Sequence, residues 1–301
     1  MARQVTVLDG GMGRELARMG APFRQPEWSA LALIEAPDYV ARAHLSFIDA
    51  GADVITTNSY AVVPFHLGEE RFAATGRQLA DRAGRLARIA ADAAPQAVKV
   101  AGSLPPLFGS YRPDLYDAAR APDILAPLIA GLTPHIDHWL AETQSSIAEI
   151  EAVSRGLAGS DKPIWFSFTL ADDVAAARQM PRLRSGEPID QAVQAASRLG
   201  AAAVLFNCSQ PEVMGRAIDI AQETRERIGA ALEIGVYANA FPPQSKDAAA
   251  NAELNEIRTD LDPAGYADFV RDWIRRGAGI VGGCCGIGPE HIAAIRATIS
   301  R

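Results

Sequence analysis

Short apolar runs alternate with amphipathic stretches along almost the whole chain. Val5–Leu8 predicts a first strand, closed by Asp9-Gly10-Gly11. Met12 to Met19 has helical periodicity and stops at Gly20, in the place of a C′ glycine. Arg24 to Trp28 reads as an irregular connection, and a helix is predicted from Pro37 to Ala50 with Gly51 after its end. The apolar run Asp53–Tyr60 follows. That transition recurs: Ala50-Gly-Ala-Asp-Val-Ile, Leu199-Gly-Ala-Ala-Ala-Val-Leu and Arg276-Gly-Ala-Gly-Ile-Val share one order of helix, stopping glycine, alanine and buried strand. Such repeats imply strand–helix pairs and a parallel sheet. Further strands are predicted at Val98–Ser103, Ile136–Glu142, Ile164–Thr169, Ala201–Cys208, Glu233–Ala238 and Gly279–Gly283, with helical segments at 70–93, 123–134, 144–158, 188–199, 211–228, 263–276 and 289–299.

Eight such units without a break in composition predict an α/β fold, a single (β/α)8 TIM-type barrel over residues 1–301. A doubly wound open sheet is the alternative. It lacks support because no Gly-x-Gly-x-x-Gly opens a helix after a strand with an acidic residue downstream. The segment from Pro242 to Asp260, rich in alanine, asparagine and charge, is expected to be a long surface loop.

Composition narrows the class. A net charge of -7 with no basic run removes the electrostatic footprint of a nucleic-acid binder. No apolar stretch approaches the roughly 18 residues of a membrane span, and Met1 leads straight toward a strand without a signal-peptide pattern. Three cysteines in 301 residues do not make a disulfide scaffold; in a reducing compartment they point to metal binding or catalysis. A cytoplasmic protein is expected.

All three cysteines end strands. Cys284-Cys285 lies between Gly283 and Gly286, just before a helix opening at Pro289, and Cys208 closes an equivalent apolar run. Neighbouring strand residues point to opposite faces, so two adjacent thiols converge only where glycines let the backbone bend. Three thiolates with a fourth position open suit a catalytic zinc. Ordinary buried cysteines are the plainer reading, since cysteine is often buried for packing alone. The other predicted strand ends carry Asp9-Gly10, Thr57-Asn58-Ser59-Tyr60, Ser103, Glu142-Thr143, Ser167, Thr169, Asn207 and Asn239. Histidine is missing from that ring: His44, His66, His135, His138 and His291 fall on predicted helices or loops. Asp9 could equally cap a turn. Thr57, Asn58 and Ser59 could be caps, and Asn207 and Asn239 could only orient loops. Glu142, closing the apolar Trp139-Leu-Ala, is a carboxylate without an evident structural purpose.

The chain resembles the zinc-dependent homocysteine S-methyltransferases, which include enzymes using S-methylmethionine or betaine. The matching stretches are Leu8-Asp-Gly-Gly-Met-Gly13, Trp28-Ser-Ala, Ala50-Gly-Ala-Asp-Val-Ile-Thr-Thr-Asn-Ser-Tyr60, Glu142-Thr-Gln-Ser-Ser-Ile-Ala-Glu149, Phe166-Ser-Phe-Thr169, Phe206-Asn-Cys-Ser-Gln-Pro-Glu212, Tyr237-Ala-Asn-Ala240 and Gly282-Gly-Cys-Cys-Gly286. The resemblance implies a barrel in which Cys208, Cys284 and Cys285 hold Zn2+ and homocysteine is the methyl acceptor. Asp9 and Glu142 would take the substrate ammonium, and backbone amides near Gly10 and Thr57 its carboxylate. Asn58 and Asn207 join them as candidate substrate-binding residues. Ile287 stands where the family carries threonine, and His138-Trp139 precede Glu142 where a more aliphatic strand is expected.

The expected reaction carries a methyl group from a small onium donor to a zinc-activated thiol. S-methylmethionine or S-adenosylmethionine is preferred over betaine, because Ala61 and Thr143 stand where the resembling betaine enzymes have aromatic residues. Rival readings are a methyltransferase for a related acceptor such as selenocysteine, a redox switch at Cys284-Cys285, and a non-catalytic zinc-binding barrel. The expected partners are small molecules, with no nucleic acid and no membrane. Oligomeric state is left open, a homo-oligomer included.

Overall fold

The structure, a computed structural model, describes residues 5–171, 180–242 and 257–299. Most of the loop expected from Pro242 to Asp260 lies outside the described residues. Eight parallel strands follow the predicted order: β1 (Thr6–Val7), β2 (Val54–Thr56), β3 (Lys99–Leu104), β4 (His138–Gln144), β5 (Ile164–Phe168), β6 (Ala203–Asn207), β7 (Glu233–Tyr237) and β8 (Ile280–Val281). Their lateral order is β1-β8-β7-β6-β5-β4-β3-β2. The ring closes between its two ends. Leu8 bridges Val54, the Asp9 N–H donates to Val54 O at 3.0 Å, and the Asp53 N–H donates to Val7 O at 2.7 Å. The chain is therefore a (β/α)8 barrel, as its repeated helix–glycine–strand order predicts.

The helices surround it: α1 (Met12–Arg18), α2 (Ser29–Glu35), α3 (Pro37–Asp49), α4 (Pro64–Leu67), α5 (Glu69–Asp92), α6 (Ala121–Leu132), α7 (Ile147–Gly156), α8 (Ile189–Arg198), α9 (Pro211–Ile228), α10 (Pro263–Arg275) and α11 (Pro289–Ile299). Two of them were not expected. Ser29–Glu35 buries every residue from Ser29 to Leu33, so it has no polar face to give it a helical period. Pro64–Leu67 is a single turn. A third difference concerns β4, which runs on to Gln144 where a helix was expected to begin. The helix starts instead behind a capping box, in which the Ser146 hydroxyl accepts from the Glu149 N–H and the Glu149 carboxylate accepts from the Ser146 N–H.

The period of two sorts the strand side chains. Val7, Val100, Trp139, Phe166, Val204 and Val236 pack outward against the helices in the main core. Leu8, Val54, Ala101, Leu140, Leu205 and Ile280 fill the barrel interior. At its lower end His138 lies against Trp165, ring centres 4.0 Å apart; His138 begins β4 and is not in a loop. One residue pair further up each strand the inward positions turn polar. Thr56, Ser103, Glu142, Ser167 and Asn207 follow the apolar layer; Thr56 and Glu142 line a cavity, and Ser103, Ser167 and Asn207 are buried just outside its lining.

Candidate active site

The cavity opens at the carboxyl ends of the strands. Asp9, Gly10, Thr57, Asn58 and Glu142 line it, with Cys208, Cys284 and Cys285 on the facing wall. Every predicted site residue except Asn207 is in that lining.

The cysteine turn is built by backbone bonds that glycines permit. The Cys284 N–H donates to Ala238 O at 2.9 Å, and the Ile287 N–H donates back to Cys284 O at 3.0 Å. Gly286 turns the chain at φ +85°, a left-handed conformation suited to glycine. The Ile287 side chain, where a threonine was expected, is buried; the turn is closed by main-chain bonds alone. The β1 loop docks directly on this turn. The Gly11 N–H donates to Ile287 O at 2.9 Å, and a Cβ on Gly11 would come within 2.7 Å of Cys284 O.

The three sulfurs lie within 4.8 Å of one another, and Cys208 Sγ and Cys284 Sγ are 2.7 Å apart. A tetrahedral ion with M–S bonds of about 2.3 Å sets ligand sulfurs about 3.8 Å apart, a spacing between those two values. Three thiols and no carboxylate or imidazole make a donor set for a soft cation. Among the described residues, no other group of three such side chains is placed to hold a metal. Contact with Cys208, then with Cys285, and burial push the Cys284 thiol well up. Contact with Cys208, then with Cys284, holds the Cys285 thiol well down.

Asp9 and Glu142 are buried, and among the described residues neither meets a cationic side chain. Asp9 accepts from the Thr56 N–H at 2.7 Å and the Thr56 hydroxyl at 3.0 Å, yet burial still pushes its pKa up to about 8. Burial likewise raises Glu142 to about 7, against a short hydrogen bond from the Ser103 hydroxyl to its Oε1. Its other oxygen accepts no hydrogen bond from a described residue. Two carboxyls held against ionisation in one cavity would be ionised by a cation placed beside them.

The remaining predicted residues divide by what they bond. Thr57 is held in the wall: its N–H donates to Ala101 O and its hydroxyl accepts from the Ser103 N–H at 3.0 Å. Its amide is therefore not available to a ligand. Among the described residues the N–H groups of Gly10 and Asn58 have no protein acceptor, and these two face the cavity. The Asn58 side chain donates to Ser29 O at 3.1 Å. Asn207 stands behind the wall. Its Oδ1 accepts from the Thr143 N–H at 2.9 Å and the Ser167 hydroxyl at 2.7 Å, and its Nδ2 donates to the Thr143 hydroxyl at 2.8 Å. These bonds brace Thr143 at φ 58°, where the β4–β5 register shifts beside Glu142.

Four non-glycine residues among those described have positive φ: Trp28, Tyr111, Thr143 and Cys208. Three line the cavity and the fourth adjoins Glu142. Backbone strain thus collects at this one place, as it does at functional sites. The sequence reading missed the outer wall, made by Arg14, Trp28, His66, Tyr111 and Phe241 together with Tyr60. His66 corrects the expectation that no histidine reaches the site. It is buried, bonded through Nδ1 to Pro26 O at 2.9 Å, and burial pulls its pKa down. Arg14 lies over the Phe241 ring at 5.3 Å. These rings supply from other positions the aromatic surface that Ala61 and Thr143 do not.

The comparisons with known proteins agree with this geometry. The homocysteine S-methyltransferase family profile matches residues 6–299. The homocysteine S-methyltransferase of Escherichia coli K12 is 30% identical, covering 98% of this chain and 95% of its own. The selenocysteine Se-methyltransferase of Brassica oleracea var. italica is 27% identical, covering 96% and 87%. The metallated form of the Escherichia coli homocysteine methyltransferase MmuM superimposes with a TM-score of 0.78 at 27% identity, covering 98% of this chain and 96% of that one. With the profile matched from first strand to last helix, the chain belongs to the homocysteine S-methyltransferase family.

Proposed function

We propose that this protein transfers a methyl group from a small sulfonium donor, S-methylmethionine or S-adenosylmethionine, to the sulfur of homocysteine, giving methionine, with Zn2+ held by Cys208, Cys284 and Cys285. The observation that carries this reading is one cavity lined both by a three-thiol cluster and by two buried carboxyls without a cationic partner. Zinc at those thiolates supplies the charge that keeps an acceptor thiol deprotonated at pH 7, where a free thiol of pKa about 8.5 is only a few per cent ionised.

The chain's own residues do the rest. Glu142 takes the substrate ammonium on its open oxygen while Ser103 holds the other, and Asp9, fixed by Thr56, lies on the same floor. The Gly10 and Asn58 N–H groups meet the carboxylate. Trp28, Tyr60, Tyr111 and Phe241 exclude water and offer ring faces to the onium centre. A new C–S bond forms as the homocysteine sulfur attacks the methyl carbon in line. The donor's own S–CH3 bond breaks, and its electron pair stays on the departing sulfide. That product is neutral, so no general acid is required, and the thiol proton passes to solvent.

Two results test this assignment. In a donor panel with homocysteine, the sulfoniums should give a higher kcat/KM than betaine, since the rings of Trp28, Tyr60, Tyr111 and Phe241 are not completed by aromatic residues at positions 61 and 143 into a cage for a quaternary ammonium; betaine ranking first would reject the preference. A second reading, selenocysteine as acceptor, is favoured by the Brassica relative. Competition between the two acceptors separates them, and homocysteine is expected to win.

The carboxyls also set a pH dependence. Asp9 and Glu142 have folded-state pKa values of about 8 and about 7, against ordinary values of 3.8 and 4.5. The fold favours their protonated forms, so their contribution to stability is complete below about pH 4 and is lost as pH rises through 7 to 8. An ammonium ligand offsets that loss. Homocysteine should therefore raise Tm more at about pH 8 than at about pH 5.5, and equal shifts at both would show that the carboxyls do not face the ligand's charge.

A further inference from the structure

We infer that Tyr237 is a positioning residue for the amino group of the acceptor, acting through Glu142; the inference rests on homocysteine being that acceptor. Tyr237 closes β7 and points into the barrel, in the same cluster as Leu140, Leu205 and Ile280. It lines the cavity and is only 4% exposed, yet its buried hydroxyl meets no hydrogen-bond partner. A buried phenol in that condition is uncommon, because the lost hydration is not replaced.

Two groups stand near the phenol, Ser167 and Glu142. The Ser167 hydroxyl spends its one hydrogen on Asn207 Oδ1 at 2.7 Å and offers the phenol only a neutral oxygen, whereas Glu142 is the acceptor that becomes charged when an ammonium binds. Of the charged groups acting on the phenol, Glu142 is felt most strongly, ahead of Cys284 and Cys208. Glu142 takes the Ser103 hydroxyl on Oε1, and the Tyr237 hydroxyl, which makes no hydrogen bond of normal length, is the other side chain that favours its ionised form. An unpaired donor thus faces a half-paired acceptor. A carboxylate oxygen has two lone pairs. When an ammonium group ionises Glu142, one pair takes the ammonium and the other takes the Tyr237 hydroxyl. That second bond fixes the rotation of the carboxylate, and with it the line from the ammonium to the sulfur at the cysteine wall.

The test is Tyr237→Phe, which keeps the ring and removes the hydroxyl. Binding to the zinc-loaded protein is measured by calorimetry with homocysteine and with 4-mercaptobutanoate, the same chain without its amino group. The Kd for homocysteine should rise about tenfold, the scale of a hydrogen bond to a charged group, while that for 4-mercaptobutanoate stays within about twofold. KM for homocysteine should rise with kcat little changed and zinc content unaltered. Ser103→Ala, which removes the other bond to Glu142, should show the same selectivity between the two ligands. An unchanged Kd for homocysteine overturns the role. Equal weakening of both ligands also overturns it, because the hydroxyl would then serve the sulfur end or the cavity's shape. A wild-type protein that binds neither ligand overturns the homocysteine reading itself, so the two failures are distinguishable.

Discussion

Replacing Cys208, Cys284 or Cys285 singly by alanine is expected to abolish methyl transfer and strip the metal while leaving the barrel folded. Each change removes one of three sulfur donors, and no other described group of metal-ligating side chains is placed to replace it. The fold does not depend on them. The sulfurs sit at the barrel mouth, above the interior layer of Leu8, Leu140, Leu205 and Ile280, and the larger core between strands and helices lies elsewhere. A chain of this length buries enough surface to stand without a metal. Elemental analysis should find about one metal ion per wild-type chain and a small fraction of that in each variant. Far-UV circular dichroism should be unchanged, and Tm should move by only a few degrees. A variant that keeps both metal and activity would remove that cysteine from the site.

Gly10→Ala is expected to do comparable damage by a different route. A Cβ there would lie 2.2 Å from the Ile287 carbonyl oxygen and 2.8 Å from the Phe47 ring. The carbonyl cannot easily swing away, because it accepts the Gly11 N–H at 2.9 Å and belongs to the turn that carries both cysteines. Forced overpacking of this kind costs about 1–3 kcal/mol, and here part of it falls on the metal site. The variant should melt lower than wild type and also bind metal more weakly, read by competition with a chelator. A loss of stability with unchanged metal affinity would show that the β1 loop and the cysteine turn are not coupled as their contacts indicate.

The barrel was legible because β2, β6 and β8 each follow a helix, a stopping glycine and an alanine, and the order of buried and polar residues then changes abruptly. The cysteines were legible as chemistry because all three end such strands. Local pattern failed where tertiary packing sets the conformation. The helix Ser29–Glu35 buries every residue from Ser29 to Leu33 and shows no amphipathic period. At Gln144 the two-residue alternation is broken by the register shift and by Thr143 at φ 58°, so strand was mistaken for helix. The correct helix start was nevertheless in view, as the capping box Ser146-Ile-Ala-Glu149. Asn207 and Cys208 look alike as strand-end residues, and only the hydrogen bonds show that one braces the wall while the other faces the cavity. The outer wall was harder still. Arg14, Trp28, His66, Tyr111 and Phe241 come from loops and short helices far apart in sequence, and no spacing relates them.

The central claim is that this cavity makes methionine from homocysteine and that the thiol cluster is required for it. The most direct measurement incubates zinc-loaded protein with homocysteine and methyl-labelled S-methylmethionine or S-adenosylmethionine, and follows labelled methionine by mass spectrometry. Labelled methionine should match the donor consumed and fall to background after chelation and in Cys285→Ala. No labelled methionine from protein holding one zinc per chain, or undiminished formation once the metal is gone, would contradict it.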